Sequence, residues 1–296
     1  MRLRHLAPMV VRAVIPFKPW LRAVKRRLKP DNDTEANHAF ALSNGLSQLA
    51  ALNEAGIDVH GKVVLEFGTS WHPIIPMLFH AAGARKVILT DIDRLMDEHT
   101  IDIAKGRILA RIDDVASSLG LSQEKVRARL DTFAPEYLVP WHADRHPDAS
   151  VDLVISRATF EHVPEHSLAF FLRAFHRILR PGGAMCHLID NSDHWQHTDR
   201  SLSRLDFLRY SDESLIWRLA QLNPQAFQNR LRHSDYRAMF LAAGFEVVHE
   251  SGDPDPRCLE DLRALPLAPR FAAYAPEDLA ILSSLFVLRK PADAPA

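Results

Sequence analysis

Acidic side chains stand near the ends of two short apolar segments of this 296-residue chain. Residues 62–67 (KVVLEF) and 86–90 (KVILT) are typical of strands buried on both faces of a parallel sheet. Glu66 lies two residues before Gly68, and Asp91 follows the second segment. Glycine lets a ligand approach the backbone, and an acid after the second strand can accept hydrogen bonds from both ribose hydroxyls. The pair predicts a nucleotide site, and taken alone it is equally compatible with NAD.

An imidazole follows another apolar segment further along the chain. This segment, residues 151–156 (VDLVIS), leads into Glu161 and His162. A hydroxyl acceptor needs a general base near neutral pH, and histidine is the side chain most often used for that purpose. We therefore expect His162 to be the base. The alternative is that His162 caps a turn or helps to bind its own loop.

A second polar cluster begins where the segment 184–189 ends. Asp190 and His194 are further catalytic candidates, while Asp193 and His197, four residues apart, share one face if this segment is helical. For this cluster, recognition of a polar acceptor such as a sugar is the first prediction, and a role as a general base is the second. A divalent metal site ranks last, and we predict no metal.

The order of the elements brings these polar groups to one edge of a sheet. Helical periodicity covers residues 34–56, 73–82, 94–119, 122–133, 167–179 and 236–243, and strand-like runs cover 62–67, 86–90, 138–143, 151–156, 184–189, 245–250 and 282–288. Strands separated by helices imply parallel βαβ units. We predict an α/β, doubly wound (Rossmann-like) fold with a seven-stranded, mostly parallel sheet, a final antiparallel strand, N-terminal helices and a helical lid insert.

Further motifs occur in a characteristic order over residues 61–190. Asp144 follows the third predicted strand, Glu161-His162-Val163 follows the fourth, and Arg180-Pro181-Gly182-Gly183 precedes the fifth. With the two earlier acids, this pattern resembles the class I S-adenosylmethionine-dependent methyltransferases. The resemblance is greatest to their type 11 branch, which includes ubiquinone-pathway O-methyltransferases and bacterial polysaccharide-associated enzymes.

The resemblance implies S-adenosyl-L-methionine as the cofactor and assigns residues to it. Glu66 and Gly68 would lie by the methionine end, Asp91 on the ribose and Asp144 near the adenine amino group. Thr69, Ser70, Ile92 and Ser156 complete the expected cofactor site. The family loop usually continues Gly-x-Gly, whereas this chain has Gly68-Thr69-Ser70-Trp71-His72-Pro73, in which the small Ser70 takes the place of a glycine.

The same resemblance bears on the chemistry at His162. In some relatives a histidine at this place is the base, and in others Glu-His helps to hold a magnesium ion. Ala158 occupies the position of a further metal-binding glutamate of the quinone branch, which disfavours a metal in this chain.

The resemblance also divides the chain. We expect a cofactor-binding core at 61–190, an acceptor lid at 191–235 and C-terminal strands at 236–290, all within one methyltransferase domain at 31–296. Arg230 and Arg232 in the lid predict contact with a phosphate or carboxylate of the acceptor; packing of two amphipathic helices on the core is the alternative. We expect O-methylation of a small or lipid-linked polar acceptor such as a glycan. A non-catalytic binding module is the main alternative, and a nicotinamide-dependent oxidoreductase is disfavoured because the loop lacks GxGxxG.

Composition places limits on location and partners. Residues 1–30 contain nine Lys or Arg and no acid, interleaved with apolar residues, so they predict either peripheral contact with an anionic membrane or a cationic tail. Two cysteines without a CxxC motif favour a reducing cytoplasm, and the enzyme is expected there or at the inner membrane face. A net charge of −1 and the lack of a recognised RNA-binding module disfavour a nucleic-acid partner.

Overall fold

The computed structural model describes residues 35–197, 199–221 and 227–292. The basic segment 1–30, predicted to contact membranes or to form a tail, lies outside these residues. Within the described part of the chain, no helix combines the length and the apolar character needed to cross a bilayer.

Seven strands of the described residues form one sheet in the order β3-β2-β1-β4-β5-β7-β6. They are β1 (Val63–Phe67), β2 (Lys86–Thr90), β3 (Glu136–Leu138), β4 (Val151–Arg157), β5 (Leu179–Asp190), β6 (Glu246–Ser251) and β7 (Ser283–Arg289). β1 to β5 pair in parallel, and β7 runs antiparallel to both of its neighbours. The predicted doubly wound sheet with a final antiparallel strand is therefore confirmed.

Ten α-helices are found in the described residues. They are α1 (Glu35–Glu54), α2 (Ile74–Ala82), α3 (Glu98–Leu109), α4 (Ile112–Leu119), α5 (Gln123–Asp131), α6 (Glu165–Ile178), α7 (Leu215–Ala220), α8 (His233–Ala242), α9 (Pro256–Leu262) and α10 (Pro276–Ala280). Residues of α6 and α8 pack on one face of the sheet, and residues of α1 and α2 pack on the other. Helices α3 to α5 cover α1 and α2 from outside.

The alternation of side chains along β1 determines which layer each residue meets. Val63, Leu65 and Phe67 belong to the cluster with α6 and α8, whereas Val64 belongs to the cluster with α1 and α2. Glu66 has the parity of Val64, so its carboxyl group points under α1 and α2. An acid is therefore buried in the layer where a ligand cavity forms.

Two predicted elements differ from the structure. The single helix expected over 94–119 is two helices, because Asp97 caps α3 with a reciprocal bond to Thr100 and the chain breaks again before α4. The strand expected at 138–143 is the shorter β3, which ends at Leu138. Pro140 has no N–H to donate to a ladder, which is a physical reason for the early end.

The segment expected to form a helical lid is mostly turns. Among its described residues, the helical ones belong to α7, to a 3₁₀ turn at Asp206–Arg209 and to the first turn of α8. Its apolar residues Leu205, Phe207, Leu208 and Trp217 pack with residues of α9 and α10 in a cluster separate from the sheet's two layers. The insert is thus anchored to the C-terminal helices.

Candidate functional site

Glu66 is the most unusual group at the carboxyl end of β1. It is 4% exposed, and its Oε2 atom has no hydrogen-bond partner. Burial raises the pKa of Glu66 to about 8, an effect that Thr69 and Arg157 oppose and that Asp91 reinforces. A buried carboxyl group with an unsatisfied oxygen is a binding site for a cation or a hydrogen-bond donor.

The loop after β1 depends on Gly68. Its φ of +83° lies in the left-handed region, and an added Cβ would stand 2.5 Å from Cγ2 of Thr159. Its N–H and that of Thr69 donate to the Thr90 carbonyl at 3.0 and 3.1 Å. Ser70 also has a positive φ, +63°, so the loop keeps a glycine-like conformation where the usual second glycine is missing.

Asp91 fastens this loop to the end of β2. Oδ2 of Asp91 accepts a bond from the Ser70 N–H at 2.8 Å, and Oδ1 accepts bonds from the N–H groups of Ile92 at 2.7 Å and Asp93 at 3.4 Å. Each carboxylate oxygen has two lone pairs, so this arrangement still leaves Asp91 able to accept from a ligand hydroxyl. Ile92 is 80% exposed beside it.

A cavity of about 90 Å³ lies between α1, α2 and the ends of β1 and β4. Its lining includes His38, Glu66, Gly68, Thr69, His72 and Arg157. A wider groove of about 590 Å³ runs along α1 and α4, and it is lined by residues of these helices and of the turn before α4. Its two charged residues, Arg111 and Asp114, form a salt bridge with each other. The smaller cavity is therefore the candidate site.

Two residues predicted to bind cofactor lie elsewhere. Ser156 is 1% exposed, and its hydroxyl group hydrogen-bonds Nδ1 of His187 at 2.8 Å inside the core. The pleat of β4 turns the Ser156 side chain to the α6 face while its neighbour Arg157 faces the cavity, and a cofactor contact of Ser156 stays a prediction from the sequence. Asp144 lies in an exposed 3₁₀ turn, Ala143–Arg145, which does not reach the cavity.

A second group of polar side chains surrounds the ends of β4 and β5. Ligand atoms of Glu161, His162 and His194 all lie within 4.8 Å of one another. Glu161 is 3% exposed, and neither of its carboxylate oxygens has a hydrogen-bond partner. Burial raises the pKa of Glu161 well above its usual value, and the charge of Asp190 adds to that effect. We call these four residues the acidic histidine cluster.

The tautomer of His162 follows from one contact. Its Nδ1 lies 2.7 Å from the carbonyl oxygen of Phe227, which can only accept, so Nδ1 carries the proton and Nε2 keeps its lone pair. Burial, together with the charge of His194, lowers the pKa of His162. The imidazole is therefore neutral near pH 7, as a general base or a metal ligand must be.

His194 lies beside Asp190. Its Nε2 lies 3.4 Å from Oδ2 of Asp190, and its ring lies 5.0 Å from the rings of both His162 and His197. Although burial alone would raise it, bonds from His194 and Ser192 lower the pKa of Asp190 to about 2. Asp190 is therefore a permanent negative charge beside the histidines.

Two amide side chains fix the geometry of this cluster. Gln228 accepts from the His194 N–H at 3.2 Å and donates to the Ser192 carbonyl at 3.0 Å. Asn229 donates to the carbonyls of Phe160 and Val163 at 2.8 and 2.9 Å. Residues 227–229 thus join the turn that carries His162 to the turn that carries His194.

Three residues predicted to bind the acceptor have structural contacts instead. Arg230 is 3% exposed and donates to the carbonyls of Phe207 and Tyr210 and to Asp212. Arg232 is fully buried and donates to the carbonyls of Asn191, Leu279 and Ile281. Asp193 is also fully buried, and its two oxygens accept from the N–H groups of Trp195 and Phe207. These contacts satisfy buried polar groups inside the protein, and a role of the three residues in acceptor binding stays a prediction from the sequence.

Other predicted residues do come together at the site. Glu66, Gly68, Thr69 and Ser70 line the cavity, and Asp190, His162 and His194 form most of the cluster. His197 lies at the exposed margin, 3.4 Å from the Ser192 hydroxyl. Arg157 and Glu161 were not predicted as site residues. Arg157 could have been found because it is two residues after Ile155 and therefore on the same face of the strand, and Glu161 because it directly precedes His162.

Comparison with known proteins gives one family. A family model described as a methyltransferase domain matches residues 17–250. No curated protein sequence matches the chain.

Several solved structures are similar at low identity. A S-adenosylmethionine-dependent methyltransferase from Mesorhizobium loti is 16% identical, with 81% of this chain and 96% of that chain covered and a TM-score of 0.46. One from Methanosarcina mazei is 15% identical, with 78% of this chain and 93% of that chain covered and a TM-score of 0.43. Phosphoethanolamine N-methyltransferase 2 from Haemonchus contortus, in complex with S-adenosyl-L-methionine, is 15% identical. The match covers 83% of this chain and 52% of that chain, with a TM-score of 0.46.

Proposed function

This chain belongs to the methyltransferase-domain family, whose model spans residues 17–250, and from that premise we propose that it O-methylates a small polar acceptor. S-adenosylmethionine is the cofactor. The residues around the cavity fit it: Gly68 leaves room where a side chain would collide, Glu66 offers an unsatisfied buried oxygen, and Asp91 can accept from hydroxyls.

The acidic histidine cluster adjoins the cavity, which supports a role in acceptor chemistry. Gly68 of the cavity loop contacts Thr159, and the 3₁₀ turn that carries Glu161 and His162 begins at the next residue, Phe160. The cofactor supplies an electrophilic methyl group on its sulfonium sulfur. The residues of this chain then have two tasks, which are to align an acceptor hydroxyl in line with that group and to remove its proton.

The observation that carries the proposal is the bond between His162 Nδ1 and the Phe227 carbonyl. Because Nδ1 carries the proton, Nε2 keeps a lone pair that can accept from an acceptor hydroxyl, and His162 lies in one cluster with Glu161 and His194. An acceptor hydroxyl aligned with the methyl group would pass its proton to Nε2 of His162 as its oxygen became methylated. The charge of Asp190, next to His194, stabilises the imidazolium that results.

The chemistry of the cluster favours a hydroxylated acceptor over an anionic one. With Arg230 and Arg232 engaged in the interior, the acid whose charge acts on His162 is Asp190, and Glu161, whose pKa is raised, adds a buried carboxyl group. Carboxylates and imidazoles both accept from hydroxyl groups. We therefore propose a polyhydroxylated acceptor, with a free or lipid-linked glycan as the first class to test.

The test is transfer of label from methyl-labelled S-adenosylmethionine to a panel of free sugars, lipid-linked glycans, phenols and amines, with the methylated atom located by NMR. His162→Gln should lower kcat by about 10²–10⁴-fold and leave the affinity for S-adenosylhomocysteine unchanged. His249→Gln is the matched control, since His249 lies on β6, beside Glu54.

The proposal fails if the methyl group is found on nitrogen, or if His162→Gln turns over at the wild-type rate. Binding of S-adenosylhomocysteine without transfer to any class of the panel would instead favour a non-catalytic binding module.

A second arrangement of the same cluster has its own support. Two imidazoles and a carboxylate with mutually close ligand atoms are a donor set for a divalent cation, and the His162 bond to a carbonyl is the usual outer contact of a ligating histidine. Metal analysis of the purified protein, together with turnover measured with and without EDTA, distinguishes a metal site from a general base. If EDTA abolishes activity and added Zn²⁺, Mn²⁺ or Mg²⁺ restores it, the cluster binds a metal, and the proposal of His162 as the base is abandoned.

A further inference from the structure

Helix α1 has an outer face without charge. Its 20 residues include no Asp, Glu, Lys or Arg between Glu35 and Glu54, which are the two ends of the helix. Every exposed residue between those ends is an alanine, a serine, an asparagine or Phe40, although 25% of the chain is charged. Charged side chains normally occupy the solvent side of a surface helix. The composition of this face is therefore that of a helix that packs against another segment.

The groove between α1 and α4, which we call the α1–α4 groove, runs along this face. It has a volume of about 590 Å³, and it includes the apolar side chains of Leu42 and Leu46. The other α1 residues that line it are small: Ala39, Ser43, Ser47 and Ala50. Small residues on one helix leave room for larger side chains from a facing segment. The groove therefore suits a segment with an apolar side.

Residues 1–34 are attached at one end of this groove. They lead directly into Glu35, the first residue of α1. A helix of 20 residues is about 30 Å long at 1.5 Å per residue, and a chain of 34 residues is long enough to return along it. Because the tether is short, the effective concentration of the segment at the groove is on the order of millimolar.

The sequence of this segment has an apolar side of the kind that packs along a helix. Six apolar residues recur at alternating spacings of four and three residues, and we call them the apolar seam: Val10, Val14, Phe17, Leu21, Val24 and Leu28. That spacing is the a/d repeat with which one chain segment packs on another. Pro16 and Pro19 interrupt the repeat, so residues 20–29 are its longest stretch without proline.

The charges of the segment and of the rest of the chain are opposite. Residues 1–30 hold nine of the 36 Lys and Arg and none of the 37 Asp and Glu, so the rest of the chain has 27 basic and 37 acidic side chains, a net charge of −10. Asp113 and Asp114 are exposed in the first turn of α4, and Asp114 lines the groove. Opposite charge attracts the segment to its own chain, as it would to an anionic surface.

We propose that residues 10–29 of this chain dock in the α1–α4 groove, with the apolar seam against Leu42 and Leu46 and the cations toward solvent and the acids of α4. The segment is then an intramolecular cover of α1, and it reaches an anionic membrane only when it leaves the groove. The inference is independent of the acceptor and of the base proposed above, since the groove shares no lining residue with the cofactor cavity.

Hydrogen exchange in the full-length protein tests this contact. The amides of residues 20–29 should exchange at least about tenfold more slowly in the wild-type protein than in Leu21→Asp, because the burial of one leucine side chain shifts the docking equilibrium by about that factor or more. Ala23→Asp is the matched control. It makes the same change of charge between two positions of the seam, and it should keep the wild-type protection.

A second pair of variants changes the groove and leaves the segment intact. Ser47→Lys places a charge inside the groove and should release residues 20–29 as Leu21→Asp does, whereas Ser117→Lys, exposed on α4 outside the groove, should not. Both side chains are exposed, so both variants should fold. Because a released segment is free to bind lipid, Ser47→Lys should bind vesicles of phosphatidylglycerol and phosphatidylcholine about tenfold more tightly than Ser117→Lys.

Three results would overturn the proposal. The first is unprotected exchange of residues 20–29 in the wild-type protein with equal vesicle binding by all variants, which would assign the segment to the membrane. The second is protection that persists in Ser47→Lys, since the segment would then bind another surface. The third is protection that disappears on dilution while light scattering reports a change from dimer to monomer, because the occupant of the groove would then come from a second copy.

Discussion

The backbone N–H of Ser70 donates to Oδ2 of Asp91 at 2.8 Å, so the loop after β1 is tied to the acid at the end of β2. This contact gives Asp91 a structural role in addition to the ribose contact that we propose for it. Ser70 has a positive φ of +63°, a conformation that needs support in any residue other than glycine. The side chain expected to bind the ribose thus also holds the loop that lines the cavity.

Asp91→Ala should therefore remove more than one hydrogen bond. We expect the affinity for S-adenosylhomocysteine to fall at least tenfold, since both the ribose acceptor and the loop anchor are lost, at about 1.5–3 kcal/mol for charged hydrogen bonds. Calorimetric titration measures this, with Asp102→Ala on the exposed face of α3 as the control. Unchanged affinity in Asp91→Ala would remove the residue from the cofactor site.

Gly68→Ala should disrupt the same loop by steric means. The new methyl group would stand 2.5 Å from Thr159 at a φ of +83°, so we expect a loss of stability of about 1–3 kcal/mol and weak cofactor binding. Gly106→Ala is the matched control, because Gly106 is a helical residue of α3 with nothing within 4 Å of an added Cβ. That control should be stabilised by about 0.5–1 kcal/mol. Equal effects in urea unfolding would contradict the close approach of Gly68 to Thr159.

Glu66 should make the stability of the ligand-free protein depend on pH. Its pKa is raised from 4.5 to about 8, so the folded state binds a proton that the unfolded state releases. Stability from this group is complete below pH 4.5 and is lost as pH rises toward 8. Glu66→Gln, which stays neutral, should therefore be more stable than wild type at pH 8 by roughly 2–5 kcal/mol and similar at pH 4.5. Thermal unfolding at several pH values tests the sign, and a constant difference would refute it.

The rate of methyl transfer should report the neutral form of His162. Burial and His194 lower the pKa of His162 below 6.5. The base is active when unprotonated, so kcat should rise with pH below 6.5 and be level from pH 7 to 8. A profile that is still rising between pH 7 and 9 would point to another base. The measurement requires a substrate from the acceptor panel.

Arg232 should be important for folding and not for acceptor binding. It donates to three buried carbonyls, those of Asn191, Leu279 and Ile281, and each would lose its partner in Arg232→Met. At about 1–3 kcal/mol for a buried unsatisfied group, the variant should lose about 3 kcal/mol or more in urea unfolding. The exposed Arg200→Met is the control. A stable Arg232→Met protein with only a raised KM for acceptor would instead support the acceptor contact predicted from the sequence.

The sequence determined the sheet and the strand ends, because those depend on local pattern. Short valine-rich runs separated by amphipathic helices admit few topologies, and parallel strands bring their carboxyl ends to one edge. Glu66, Asp91, His162 and Asp190 could therefore be placed near a common site from their positions after apolar segments. The motif order over 61–190 likewise indicates the family.

Only the tertiary structure decided where individual side chains point and what they contact. Ser156 and Arg157 are adjacent in β4, yet the pleat directs one to the core and the other to the cavity. Arg230 and Arg232, which look like surface cations in sequence, are buried because three-dimensional packing gives them carbonyl partners. His162 and His194 meet only because residues 227–229 join their two turns. Local pattern specifies backbone and burial periodicity, whereas hydrogen-bond partners distant in sequence exist only once the chain has packed.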